Sequence, residues 1–401
     1  MTKTYAKERP RCVLQLAQPP KGIAGFGILE STVAACGSLE QGGMADIDEG
    51  AAAEEELTDR HELTDDDIDL VVAAGGSLDA PYVTQSKKCK RADAPRHENE
   101  PGLHAFARAC FDRLREPLPR VARPAPLDAR TAAGDAVAAA VANCGAAREP
   151  LRPADGATYA LDRIVGRVLD GPSARFVVDL VGPCALPPDS TTLLAAAARW
   201  ADRLPTEREY TCIVADPPWP SRSAARRAAY DTRGDAWRAP LLALPVADLV
   251  APSGALVAVW ATNDKKVARW VVDTLFRAWG VEYVGTWYWL KCTSSGAPVL
   301  SIDEHAERKP WEPLVVGVVN ASGALDAGTW APRGASWLRR VPARRAVAAV
   351  PGPHSAKPRL DAALASCFRP GAPPLRGLEL FGRGAFAGWT VAGDQALPLA
   401  A

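Results

Sequence analysis

The stretch Tyr210-Thr211-Cys212-Ile213-Val214-Ala215 is largely apolar and β-branched, and it stops abruptly at Asp216-Pro217-Pro218-Trp219. A run of that length and composition reads as a buried strand. Neither proline can donate to a sheet ladder and each fixes φ, so the strand ends there. A carboxylate, two stiff residues and an indole therefore stand at the C-terminal lip of a strand. In open α/β sheets that lip is where ligands bind.

The chemistry of this lip suits an amino group carried on an aromatic ring. Such a nitrogen is a poor nucleophile because its lone pair is delocalised into the ring. To attack a methyl donor it must rehybridise and gain electron density. Asp216 offers an acceptor for one N–H and the Pro217 carbonyl an acceptor for the other. Trp219 offers a flat face for a base, and the prolines keep the acceptors preorganised. The plainer alternative is a strand followed by a proline-stiffened turn.

From about Thr158 onward the pattern alternates strand and helix. Strands are expected at Phe176–Leu180, Gly254–Trp260, Val281–Lys291, Leu314–Val319, Ala346–Val350, Leu375–Phe381 and Trp389–Ala392, beside the central strand. Helices are expected at Thr191–Leu204, from an Asn263 or Asp264 cap to Trp279, and at Pro358–Phe368. This is an α/β domain with a largely buried, mixed sheet. Residues 1–100 form a low-order region, with a helix at Leu57–Val72 inside it. Helices at His104–Leu118 and Asp128–Ala147 suggest a small helical domain over 101–157. The α/β domain then occupies 158–401.

The 401 residues balance 47 basic against 47 acidic side chains, but the balance is uneven along the chain. Twelve acidic residues and one basic residue fall between Asp46 and Asp69, which leaves an excess of about eleven positive charges elsewhere. That excess suits a polyanionic partner, although an arginine-rich composition alone would produce it too. The nine cysteines are scattered without a Cys-x-x-Cys pair. With five scattered histidines, they argue against a metal centre. No apolar run reaches the roughly 18 to 20 residues of a membrane span, so no membrane association is expected. The cluster Lys87-Lys88-Cys89-Lys90-Arg91 is a short nuclear-import candidate.

Other strand ends and loops carry chemistry. Asp179 sits at a strand end, where it is either a turn former or a contact for a nucleoside. Glu379-Leu380-Phe381-Gly382-Arg383-Gly384 runs from a strand into a loop that backbone can share with a ligand. Lys357, in His354-Ser355-Ala356-Lys357-Pro358, places a cation before a helix, and Asp394 and Gln395 follow the last strand. Arg222, Arg226 and Arg227 follow the Asp-Pro-Pro-Trp turn directly. Trp287, Trp289 and Trp311 bracket a loop bearing Lys291, Arg308 and Lys309. Interleaved aromatics and cations grip unstacked bases and phosphates, but Trp287 and Trp289 also read as one core face of a strand.

Together these stretches, with Val259-Trp260-Ala261-Thr262-Asn263 and Lys309-Pro310-Trp311-Glu312, resemble the MT-A family of Asp-Pro-Pro-Trp adenine-N6 methyltransferases. The resemblance covers roughly residues 170 to 395 and is closest to the methyltransferase-like 4 branch. It implies a Rossmann-like S-adenosylmethionine methyltransferase fold with permuted motif order. It further implies methyl transfer to adenine N6 in RNA, with 2′-O-methyladenosine of a small nuclear RNA as the foremost substrate. DNA N6-adenine methylation and a non-catalytic nucleic-acid-binding scaffold are the alternatives. Carried over, Asp216, Pro217, Pro218 and Trp219 hold the target adenine. Asp179, Leu180, Asp216, Lys357, Phe381, Arg383, Asp394 and Gln395 hold the cofactor. Ser221, Arg222, Arg226, Trp289, Lys291 and Lys309 meet the nucleic acid. The chain departs from the family pattern at Ser221, Gly384 and Asp394, positions where asparagine is usual. A nuclear monomer is expected, with a heterodimer and a cytoplasmic pool as alternatives.

Overall fold

The computed structural model describes residues 68–74, 78–82, 101–114, 117–119, 132–205, 209–219, 238–302, 309–319, 338–352, 356–372 and 374–396. Thirteen strands are present among them. In chain order they are β1 (Leu70–Val72), β2 (Thr158–Tyr159), β3 (Val168–Leu169), β4 (Ala174–Val178), β5 (Gly182–Leu186), β6 (Thr191–Leu194) and β7 (Cys212–Ala215). They continue as β8 (Ala255–Trp260), β9 (Val281–Lys291), β10 (Trp311–Val319), β11 (Arg344–Ala349), β12 (Gly377–Leu380) and β13 (Trp389–Gly393). Ten of these form one sheet in the order β1-β11-β9-β10-β8-β7-β12-β13-β6-β3. The expected α/β, Rossmann-like fold with a mixed sheet is the fold observed.

Five neighbours, β8-β7-β12-β13-β6, are mutually parallel. All four residues of β7 and all six of β8 are buried, because both faces of this parallel core are covered. On one face Ile213, Val257 and Val259 pack against Val271, Leu275 and Trp279. On the other, Val214, Leu256 and Trp260 pack against Leu360, Ala363 and Leu364. From β7 the chain steps to β8 on one side and later returns to β12 on the other. The C-terminal end of β7 is therefore a topological switch point, where such sheets open a crevice.

Several local expectations hold. Asp264 caps the helix Lys265–Trp270, its side chain accepting the Lys266 N–H at 3.0 Å. The helical path then runs through Trp279 with a π-helical segment at Val271–Phe276, and Gly280 ends it in the left-handed conformation at φ 66°. Other expectations are corrected. Thr191–Leu194 is a strand rather than the start of a helix, since all four residues are buried and pair with β13. Leu70–Val72, expected at the end of a helix, pairs in parallel with β11.

The expected helical domain over 101–157 is replaced by two separate packings. Helix α1 (Pro101–Arg113) buries Phe106, Ala107 and Cys110 against Leu290, Trp311 and Ala348. Helix α2 (Ala132–Ala142) buries Val137 and Val141 against Phe176, Val178 and Leu186 of the small sheet β2-β4-β5. The basic cluster at 87–91 and the segment 57–67 lie outside the described residues.

Close backbone approach also shapes the β9–β11 region. A Cβ at Gly285, in β9, would collide with the backbone carbonyl of Ala343. Gly285→Ala is therefore expected to destabilise the fold by about 1–3 kcal/mol, the usual cost of overpacking. Thermal unfolding followed by circular dichroism reads this as a melting point lower by several degrees.

Candidate active site

Asp216 follows β7 at the switch point, its backbone N–H donating to the Leu380 carbonyl at 3.1 Å. Side chains alternate along a strand, so Asp216 shares the face of Cys212 and Val214. Lys357 approaches from that face, its Nζ 3.2 Å from Asp216 Oδ1 and 3.0 Å from Glu312 Oε2. Glu312, on β10, also pairs with Lys291 at the end of β9. The result is a chain of alternating charge, Lys291–Glu312–Lys357–Asp216, that crosses from the antiparallel half of the sheet to the parallel half. All four side chains are mostly buried, between 14% and 20% exposed.

The protonation of this chain follows from its geometry. Burial alone would raise the Glu312 carboxyl, but Lys357 and Lys291 outweigh it and hold it at about 2. Burial would lower the Lys357 ammonium, but Asp216 and Glu312 raise it to about 12. Lys357 also lies 5.6 Å from the centroid of the Trp260 ring.

Trp219 takes a different place from the one expected. It is 7% exposed, its Nε1–H donates to the Trp260 carbonyl at 2.6 Å, and its ring meets Trp270 edge-on at 5.9 Å. An indole held this way anchors the turn rather than presenting a face to a base. The Pro217 carbonyl accepts the Trp219 N–H at 2.8 Å, and a carbonyl retains a second lone pair. Likewise the Lys357 contact at one oxygen of Asp216 leaves the carboxylate capacity for another donor.

The neighbouring strand ends complete the lip. Phe381, directly after β12, has φ 62°, an uncommon conformation for a non-glycine residue that often marks a functional site. Its ring packs edge-on against Trp200 at 4.7 Å. Gly382 donates its N–H to the Ala392 carbonyl, and a Cβ at Gly393 would collide with the Gly382 carbonyl. Asp394 keeps solvent access beyond β13. The surrounding protein raises its carboxyl, and Arg383 pulls the other way. Gln395 is partly buried beside it.

Three expected site residues lie elsewhere. Asp179 and Leu180 form the exposed turn between β4 and β5 of the small sheet, not a strand end of the main sheet. Beside β13 the strand is β6, and it runs into Ala195-Ala196-Ala197 with no carboxylate. Trp289 is 1% exposed, with its Nε1–H donated to the Ala349 carbonyl, so it is core. Lys291 is committed to Glu312, and Lys309 lies 5.6 Å from the Trp311 ring centroid. Ser221, Arg222 and Arg226 lie outside the described residues. Glu312 was not expected in the site. Its signal was a single carboxylate inside the otherwise apolar strand Trp311–Val319.

A five-stranded parallel core with a carboxylate turn at its switch point is a Rossmann-like architecture. Residues 210–395 match the MT-A70 family, whose members take their methyl group from S-adenosylmethionine. The chain is 38% identical over 195 residues to the N6-methyladenosine RNA methyltransferase MTA1 of Pyricularia oryzae, covering 47% of each chain. It is 33% identical over 226 residues to the human N(6)-adenine-specific methyltransferase METTL4, covering 55% of this chain and 45% of the relative. It is 35% identical over 107 residues to a Caenorhabditis elegans DNA N6-methyl methyltransferase, covering 27% and 28%. The chain spans about half the length of the first two of these curated relatives.

Removing Lys357 leaves two buried carboxylates facing each other. Lys357→Met is expected to destabilise the fold at pH 7 by about 3 kcal/mol, the scale for breaking a buried pair. Glu312 has a folded-state pKa below its unfolded value of roughly 4.3, so its stabilising effect is complete above that value. The effect fades as pH falls toward about 2. Urea titrations should show the gap between wild type and variant narrowing as pH falls from neutral toward about 2, because the carboxylates protonate earlier once Lys357 is gone.

Proposed function

We propose that this protein transfers a methyl group from S-adenosylmethionine to the N6 nitrogen of adenine in RNA, with internal 2′-O-methyladenosine of a small nuclear RNA as its substrate. The observation that carries the reading is the Asp216–Pro217 pair of acceptors, held at the switch point of an MT-A70 domain. Asp216 and the Pro217 carbonyl accept the two N–H bonds of the adenine amino group. This directs its lone pair and stabilises the positive charge that builds as the nitrogen is alkylated. Trp219 acts through its bond to the Trp260 carbonyl, which fixes the angle of the turn.

The lip also fits the cofactor. Phe381 provides an aromatic wall, Asp394 and Gln395 provide acceptors and donors for hydroxyl groups, and Gly382 and Gly393 let two strand ends approach closely. Lys357 is a cation in contact with the lip carboxylate, and it would share itself among Asp216, Glu312 and a ligand carboxylate. When bound, the cofactor supplies a methyl group on a positively charged sulfur. A target base must leave a duplex or come from a single strand to reach such a recessed acceptor pair.

Action as a monomer is supported by β1 and α1, which cover the β11 side of the sheet from within the same chain. The nuclear assignment rests on the basic cluster at 87–91. A DNA substrate is the second reading, favoured by the similarity to the nematode DNA methyltransferase.

The test is transfer from labelled S-adenosylmethionine to matched RNA and DNA oligonucleotides, with and without 2′-O-methyl on the target adenosine. Transfer is expected to be fastest on the 2′-O-methylated RNA. Asp216→Asn, which keeps the shape and removes the charge, is expected to lower kcat by about 100-fold or more. Transfer to DNA alone would overturn the choice of polymer. Full activity in Asp216→Asn would overturn the assignment of the site.

A further inference from the structure

Two aromatic side chains among the described residues are substantially exposed, Tyr82 at 47% and Tyr283 at 40%. The Tyr283 hydroxyl is engaged 3.1 Å from Thr286 Oγ1 on its own strand, β9. Tyr82 has a different setting. Its short segment precedes the MT-A70 domain by well over a hundred residues, yet it is fastened to the connection between β9 and β10.

Three contacts make that attachment, and a fourth ties it back to β9. The Ser294 N–H donates to the Leu78 carbonyl at 2.8 Å, and Ser294 Oγ donates to Asp79 Oδ1 at 2.8 Å. The Tyr82 N–H donates to the Val299 carbonyl at 3.0 Å, and the Val299 N–H donates in turn to the Lys291 carbonyl at 3.0 Å. The strand ends joined by that connection carry Lys291 and Glu312, the outer half of the charged chain that leads to Asp216. Partial burial, and then the Glu312 carboxylate, push the Tyr82 hydroxyl above the usual phenol range.

An exposed ring on the connection that carries the outer end of the charge chain is a surface that a splayed nucleic acid can use. Among the described residues, Trp219, Trp260 and Trp289 are buried, and the half-buried Trp270 is packed edge-on against Trp219 and lies 5.3 Å from the Arg238 guanidinium. A nucleobase next to the target adenine, once unstacked, requires a flat apolar surface at the rim to replace its lost neighbour.

We propose that Tyr82 is that surface: a substrate-contacting residue, supplied by the chain outside the MT-A70 domain, whose ring stacks on an unpaired base flanking the target adenine. The proposal rests on the nucleic-acid reading of the site given above.

The experiment titrates fluorescently labelled single-stranded RNA and DNA oligonucleotides containing adenine into wild type, Tyr82→Ala and Tyr82→Phe, and measures methyl transfer with the same proteins. The expected result is a Kd about fivefold or more higher for Tyr82→Ala, with Tyr82→Phe within twofold of wild type. The KM for S-adenosylmethionine and kcat at saturating oligonucleotide should stay within twofold. Melting temperatures of both variants, measured alongside, should match wild type. Oligonucleotide affinity within twofold in Tyr82→Ala overturns the proposal, as does a loss in Tyr82→Phe equal to that in Tyr82→Ala. If wild type binds oligonucleotide and Tyr82→Ala does not, but neither transfers methyl, the proposal stands and the catalytic reading falls. A wild type that binds no oligonucleotide overturns both.

Discussion

A lysine ammonium taken out of water costs several kcal/mol unless charge of the opposite sign replaces the lost solvation. Lys357 is 14% exposed, and its replacement is Asp216 on one side and Glu312 on the other. One cation between two anions would leave an excess negative charge in a poorly solvated place. Lys291, paired with the far oxygen of Glu312, removes that excess. The four residues come from the end of β9, the start of β10, the end of β7 and the loop before the helix Asp361–Ala365. They fix these elements relative to one another, so the position of the acceptor at the lip is determined by electrostatics as well as by strand pairing.

The same arrangement limits what Asp216 can do. An acceptor that already faces an ammonium at 3.2 Å is directional, because one of its oxygens is spoken for. A second donor must come to the remaining lone pairs, close to the Pro217 carbonyl. The turn between them is held by Trp219, whose N–H is fastened to the end of the adjacent strand β8. The rigid turn and the buried charge chain together make an acceptor pair of fixed spacing, which is what recognition of a two-hydrogen amino group requires.

The central strand, its proline stop and most of the strands beyond it were legible in the sequence, because buried parallel strands are short apolar runs with sharp ends. What was not legible depended on partners distant in the chain. Thr191-Thr192-Leu193-Leu194 opens a stretch with helical spacing, yet it pairs with residues 390–393, about two hundred positions away, and β13 settles its conformation. Phe176–Val178 was correctly read as a strand, but nothing in its pattern says which sheet it joins. Asp179 was therefore assigned to the wrong lip, and the strand beside β13 ends instead in alanines. For Trp289 the sequence offers both a core face of β9 and a base contact, and packing against Trp260 at 6.0 Å selects the core.

Glu312 shows the reverse situation, since its importance comes from being out of character. A carboxylate in the strand Trp-Glu-Pro-Leu-Val-Val-Gly-Val-Val has to be paid for by a cation, and two lysines supply it. Those lysines were read from the sequence as ligands for phosphate or for a cofactor carboxylate. Their short contacts to Glu312 and Asp216 show that each first serves the protein's own charges. A cation already engaged in this way is shared with an incoming anion rather than given over to it, so anion binding at the lip competes with the charge chain.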